Sequence, residues 1–231
     1  MAGENAFDKK LGAETHMDKV EGLLEHLNLP PKAIDFIRNN QRLIQVGIAI
    51  IVIAVVFWSL YGSYREKIRE EASSALSLAL RSDQEGKPKA LRAVADEYAG
   101  TSSAIWARVE LAHIDMKNGM FNDASKKYQE VLADTKAANP IYPLVIFSLA
   151  QSIEKEQRYQ EAINQYELLK SIKGFELIAY TSTARIEEAQ GNMEKAIAIY
   201  NNFLLQIGDD PSFSQAKEEI NAKIARLSAQ K

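Results

Sequence analysis

Apolar side chains run without interruption in one place along this chain. From Leu43 to Tyr61 it reads LIQVGIAIIVIAVVFWSLY, inside a window from Leu43 to Tyr64 that holds no charged residue. A bilayer core is about 30 Å thick and an α-helix rises about 1.5 Å per residue, so roughly 20 apolar residues cross it. Twelve residues of the stretch are Leu, Ile, Val or Phe, and together they favour insertion by about 5 kcal/mol. Trp58, Tyr61 and Tyr64 cluster at its C-terminal edge, where amphipathic rings prefer the headgroup level; Arg38 and Arg42 bracket one end, and Arg65, Lys67 and Arg69 the other. The pattern predicts a transmembrane helix over 43–61.

Before the span the pattern is weak. Met1 to Glu14 is polar and aperiodic. Thr15 to Leu27 places Val20, Leu23, Leu24 and Leu27 on one helical face until Asn28, Pro30 and Pro31 break it. It reads either as a short docking helix or as a marginal helix at a surface. Lys32 to Asn40, with Ile34, Phe36 and Ile37, leads into the span. Residues 1–42 therefore read as a tail with short amphipathic helices. After the span, Arg65 to Ser82 keeps a helical composition, and Gly62 offers a point to bend. From there to Ile207 no alternating strand pattern occurs, only helix-length amphipathic segments separated by Gly, Pro or Asn.

Those segments repeat. Gly119-Met-Phe-Asn-Asp-Ala124 with Tyr128, Gln157-Arg-Tyr-Gln-Glu-Ala162 with Tyr166, and Gly191-Asn-Met-Glu-Lys-Ala196 with Tyr200 align, their alanines 38 and 34 residues apart. About 34 residues is the period of the tetratricopeptide repeat, a pair of antiparallel helices A and B. Ala79, Ala112, Ala150 and Ala184 fall where helix A must be small to admit helix B, with Leu78, Leu111 and Leu149 just before three of them. Gly86-Lys87-Pro88 and Leu91 mark an atypical first unit, and Phe213, Ala216, Ile220, Ile224 and Leu227 form the stripe of a terminal cap over 212–229. The expected fold is all-α: a single N-terminal transmembrane helix over 43–61, then a tetratricopeptide-repeat α-solenoid with a C-terminal capping helix over 65–231.

Composition removes several kinds of chemistry. Residues 62–231 carry 22 Lys and Arg against 24 Asp and Glu, so the domain is not basic and nucleic acid is not the expected partner. The absence of cysteine excludes disulfides, thiol catalysis and cysteine-ligated zinc. His16, His26 and His113 stand at no metal-ligand spacing, and no phosphate loop, nucleophile elbow or triad pattern occurs. No cofactor, metal or catalytic residue is expected. The acid pairs Glu187-Glu188, Asp209-Asp210 and Glu218-Glu219 read as solvated surface. A repeat solenoid offers instead a groove lined by its A helices, and the period puts Trp106, Val109, His113, Met116, Phe147, Gln151 and Arg185 on it, with Leu76, Leu80 and Thr181. Mixed aromatic, aliphatic and polar groups suit an extended segment or a helix of another protein. Trp106 and Phe147 also suit packing between helices.

Several stretches, Ala33 to Gly47 (AIDFIRNNQRLIQVG), Glu85 to Pro88 (EGKP), Val109 to Ala112 (VELA), Lys173 to Tyr180 (KGFELIAY) and Asn221 to Ala229 (NAKIARLSA), together resemble the YfgM-like family. The resemblance implies an ancillary subunit of the bacterial Sec translocon, a non-enzymatic adaptor in the inner membrane. It implies a cytoplasmic N-terminus and a periplasmic repeat domain that meets the translocon, periplasmic chaperones and client polypeptides. The chain departs from that pattern in its longer N-terminal region. Charge does not orient the span: Lys32, Arg38 and Arg42 on one side balance Arg65, Lys67 and Arg69 on the other. A cytosol-facing import receptor of repeat type, or a regulatory subunit of a membrane enzyme, remains open.

Overall fold

The structure, a computed structural model, describes Lys32, Phe36 and residues 39–229. The amphipathic segment Thr15 to Leu27 lies outside the described residues. The chain falls into two compact units that meet between Arg65 and Glu66.

The first unit contains the beginning of helix α1 (Gln41–Arg81), which Gly62 does not interrupt. An 18-residue window of this helix has a mean hydropathy of 2.7, and none of it is buried. Leu43, Ile51, Phe57 and Trp58 all stand exposed, Trp58 to 84 %. Arg65 lies over the ring of Tyr61, its guanidinium carbon 5.8 Å from the centroid, a cation–π contact at the end of the apolar run.

The second unit is built from helix pairs, and no strand occurs among the described residues. Ala75, Leu76 and Ala79 in the C-terminal part of α1 share a cluster with Leu91 and Val94 of α2 (Lys87–Glu97); α3 (Ser102–Lys117) pairs with α4 (Phe121–Asp134), α5 (Tyr142–Lys155) with α6 (Tyr159–Leu169), and α7 (Glu176–Ala189) with α8 (Met193–Ile207). A short 3-10 turn (Pro211–Phe213) leads into the capping helix α9 (Ser214–Ser228). From α2 to α9 each helix packs on its sequence neighbour, which is the linear packing of a repeat solenoid.

The repeat positions read from the sequence are the positions that make contact. Ala112, Ala150 and Ala184 in the A helices and Ala124, Ala162 and Ala196 in the B helices have no exposed surface, and Ala79 has 3 %. Without a side chain beyond Cβ, these residues let two helix backbones approach closely. Tyr128, Tyr166 and Tyr200 are likewise fully buried and fill the space between units. Leu91 takes the alanine's place in the first unit and is buried with Ala79, Ala107 and Leu111. Leu78 differs from Leu111 and Leu149: it is 69 % exposed, because among the described residues no helix precedes the first helix of the repeat series to cover that face. Ile220 and Leu227 of the cap are buried against Tyr200 and Phe203, and Phe213 meets Phe203 edge-on at 5.9 Å.

The turn between helices A and B needs a residue with left-handed backbone. Gly119 (φ 77°) and Gly191 (φ 78°) supply it, each followed by an N–H that reaches back to a carbonyl five residues earlier, Met120 to Asp115 and Asn192 to Glu187, both at 2.9 Å. In the middle unit Gln157 adopts the same conformation, φ 62°, with Arg158 N bonded to Ile153 O at 3.2 Å. The left-handed form costs a residue with a Cβ roughly 1 kcal/mol. Gln157→Gly should therefore raise the stability of the domain by about 0.5–1 kcal/mol, seen as a higher midpoint in urea at unchanged slope.

The α3–α4 and α5–α6 units are also clasped by side chains. Glu156, just after α5, accepts from Ser125 Oγ at 2.9 Å, Asn122 Nδ2 at 3.3 Å and Arg158 Nη1 at 3.1 Å. Burial pushes the Glu156 carboxyl up, but the bonds from Ser125, Arg158 and Asn122 outweigh it and hold the group below its ordinary value of 4.5. A carboxyl depressed in the folded state stabilises it fully above the unfolded pKa, and that contribution disappears as pH falls through the folded pKa. Thermal melts between pH 7 and pH 3 should show Glu156→Gln less stable than the parent at neutral pH, with the difference shrinking below about pH 4.5.

Candidate functional site

Three successive A helices contribute to one cleft. Met116 from α3, Gln151, Glu154 and Lys155 from α5, and Ser182 and Arg185 from α7 line a volume of about 440 Å³. Of the residues the period assigned to a groove, Met116, Gln151 and Arg185 meet here. His113 and Trp106 are exposed on α3 without lining this cleft, and the His113 ring stands edge-on to Tyr128 at 5.7 Å. Phe147 packs into the core against Tyr166, centroids 6.1 Å apart. Val109 is a correction: it is 3 % exposed and joins the core, because its side of α3 turns toward the neighbouring helices.

Glu154 and Arg185 of the lining belong to a polar device that recurs one unit on. Tyr166 Oη donates to Glu154 Oε2 at 2.9 Å, and Glu154 is held bidentately by Arg185 of the next unit, Nη2 to Oε2 at 2.8 Å and Nη1 to Oε1. One unit on, Tyr200 Oη donates to Glu188 Oε1 at 2.7 Å, and Arg226 of the cap bonds Glu188 Oε2 at 3.0 Å. Burial and the adjoining carboxylate push both phenols well above their usual range, so each stays a hydrogen-bond donor. Hydrogen bonding to Glu154 likewise raises Arg185. Each glutamate thus ties its own unit's tyrosine to the arginine that follows. Glu188, expected to be solvated, is used in this way, and Glu187 bonds Asn192 Nδ2 at 2.8 Å. Among the described residues no cluster of His, Asp or Glu could hold a metal.

Sequence reasoning passed over Glu154 and took Glu188 for solvated surface, because it looked for apolar spacing. The signal was present: each lies 12 residues before the tyrosine it receives. Arg185, read from the period as a free groove residue, is engaged between units. Arg185→Glu should accordingly destabilise the domain by about 1–2 kcal/mol, since it sets a second carboxylate against Glu154; a lowered midpoint by circular dichroism checks this.

The family described as "Tetratricopeptide repeat-like domain" matches residues 35–229. Among curated proteins none matches the sequence. Solved structures with a similar fold include the type III secretion translocator chaperone SycD of Yersinia enterocolitica, at 15 % identity over 56 % of this chain and 87 % of that one, TM-score 0.45. SycD has also been solved in complex with a peptide of the translocator YopD, at 15 % identity over 56 % and 96 %, TM-score 0.45. The nearly identical repeats of a putative kinesin light chain from Podosopora anserina are similar at 19 % identity over 70 % and 97 %, TM-score 0.47.

Proposed function

Since the chain belongs to the tetratricopeptide repeat-like domain family, we propose that it is a non-enzymatic, membrane-anchored scaffold that holds a polypeptide partner along its A helices. The observation that carries this reading is the cleft shared by α3, α5 and α7, whose lining comes from three units. An extended segment engages such a surface at several points at once. The anchor is residues 43–61. Water would hydrate every side chain of that apolar run, whereas a bilayer removes them from water and leaves no backbone group unpaired, because a helix satisfies its own.

On the resemblance drawn from the sequence, the partners are the Sec translocon, periplasmic chaperones and emerging client polypeptides. The tail then lies in the cytoplasm and the repeat domain in the periplasm of a bacterial inner membrane. The equal flanking charges favour neither orientation, so a cytosol-facing receptor is the competing reading. The chain has no cysteine, which makes labelling direct. A cysteine introduced at Ser171 should react with a membrane-impermeant maleimide in intact spheroplasts; reaction only after lysis would place the domain in the cytosol. In the same membranes, a photo-crosslinker at Gln151 should give adducts identified by mass spectrometry as translocon subunits or periplasmic chaperones, while one at Lys126, exposed on α4, should not.

A further inference from the structure

The Tyr–Glu–Arg device occurs at two junctions and is missing at the one before them. Twelve residues ahead of Tyr128, where Glu154 and Glu188 stand relative to their tyrosines, is Met116. Where an arginine would reach back to it from the next unit is Gln151, the residue of α5 one place along from Ala150 as Arg185 is from Ala184. Tyr128 is nevertheless as buried as Tyr166 and Tyr200. Its hydroxyl makes no hydrogen bond at full geometry, and Ser148 is the hydroxyl that acts on it. A buried polar group without a partner is uncommon and costs the fold stability. Gln151 makes no side-chain hydrogen bond among the described residues, so both halves of the missing junction offer unused polar atoms.

The unpaired cations of the cleft favour a negative ligand group, and the two carboxylates that act on the Tyr128 hydroxyl are themselves engaged, Asp115 by Lys127 and Glu110 beside His113. Glu154, the one acid lining the cleft, is already satisfied by Tyr166 and Arg185. Lys155, also in the lining, and Lys117, which ends α3 as Lys155 ends α5, form no ion pair among the described residues. Among the described residues, Met116 both lines the cleft and packs against the cluster that contains Tyr128, and its unbranched thioether adapts readily to a new neighbour.

We infer that the cleft at Met116 and Gln151 takes an acidic side chain of a partner polypeptide, whose carboxylate stands in for the absent glutamate. It accepts from Tyr128 Oη and the Gln151 amide, with Lys155 supplying the countercharge. The inference rests on the peptide-binding reading above and adds to it a residue class and a place. Displacement of Met116 uncovers the tyrosine hydroxyl, so an acid is read by a donor that water does not otherwise reach, whereas a basic residue there faces the Tyr128 and Gln151 donors and Lys155, the carboxylates of Glu154 and Asp115 already holding cations of their own.

The test uses the full chain in a non-ionic detergent and fluorescein-labelled peptides of the form Gly-Leu-Ser-Xaa-Leu-Ser-Gly, with Xaa as Glu, Gln or Lys, read by fluorescence anisotropy. The Glu peptide should bind at least tenfold more tightly than the Lys peptide, the order expected for a hydrogen bond to a charged group. Tyr128→Phe should weaken the Glu peptide about tenfold while leaving the melting temperature unchanged or higher, because no native bond is lost. Tyr166→Phe, whose hydroxyl is already engaged, should do the reverse: a lower melting temperature and unchanged affinity. Met116→Glu should fill the junction from within, raise the melting temperature and abolish preference for the Glu peptide. Equal binding of Glu and Lys peptides, or unchanged affinity in both Tyr128→Phe and Met116→Glu, would overturn the inference and leave the scaffold reading standing. Failure of every peptide to bind, with no adduct from the Gln151 crosslinker, would remove both.

Discussion

Close approach of helix backbones is the constraint on which the second unit of this protein depends. Ala112, Ala150 and Ala184 meet Ala124, Ala162 and Ala196 with nothing left exposed, and each pair sets the distance between its two helices. A larger side chain at any of these positions would separate the pair and displace every helix stacked beyond it, because each packs on its neighbour. The tyrosines follow from the same constraint. Small residues bring helices together within a unit but leave a gap toward the next, and a ring the size of tyrosine fills it.

Filling that gap with tyrosine creates a second requirement. A phenol hydroxyl carried into a packed interior needs a partner, and Glu154 and Glu188 provide one from the helix facing it. A carboxylate placed there is itself partly removed from water, so it in turn calls for a cation, and Arg185 and Arg226 arrive from the following unit or the cap. The polar ladder between units is thus a chain of obligations that begins with an apolar packing problem. Its interruption at Met116 is informative for that reason: the ring is still needed for volume, and its hydroxyl is left over.

Much of this was legible in the sequence. The alanine and tyrosine period located the three regular helix pairs, because steric fit imposes a residue size at a fixed spacing; the Gly86-Lys87-Pro88 turn located the first unit, and the apolar stripe from Phe213 to Leu227 the cap. The extra four residues between the Ala124 and Ala162 boxes appear as the segment from Thr135 to Ile141, closed by Thr135 Oγ1 to Val131 O at 2.6 Å and by Asn139 Oδ1, which accepts from Ile141 N at 3.1 Å. The face of each A helix was harder. Val109 and Phe147 satisfy the groove spacing, yet a helix between two neighbours buries more than half of its circumference, and spacing alone does not say where that arc ends. Arg185 was legible as a position but not as half of a pair, since its partner lies 31 residues away and only the fold brings them together.

The uneven distribution of these ties bears on motion. The α3–α4 and α5–α6 pairs are joined by Ser125 and Asn122 to Glu156, while across the cleft Met116 and Gln151 exchange no hydrogen bond. The pairs from α5 to the cap are pinned across that same surface by bidentate and charged contacts. Directional bonds resist rotation; dispersion contacts between a methionine and its neighbours barely do. On its cleft side the junction at Met116 therefore offers less directional resistance to rotation than the junction at Arg185, and it relies there on packing and on the Glu156 clasp.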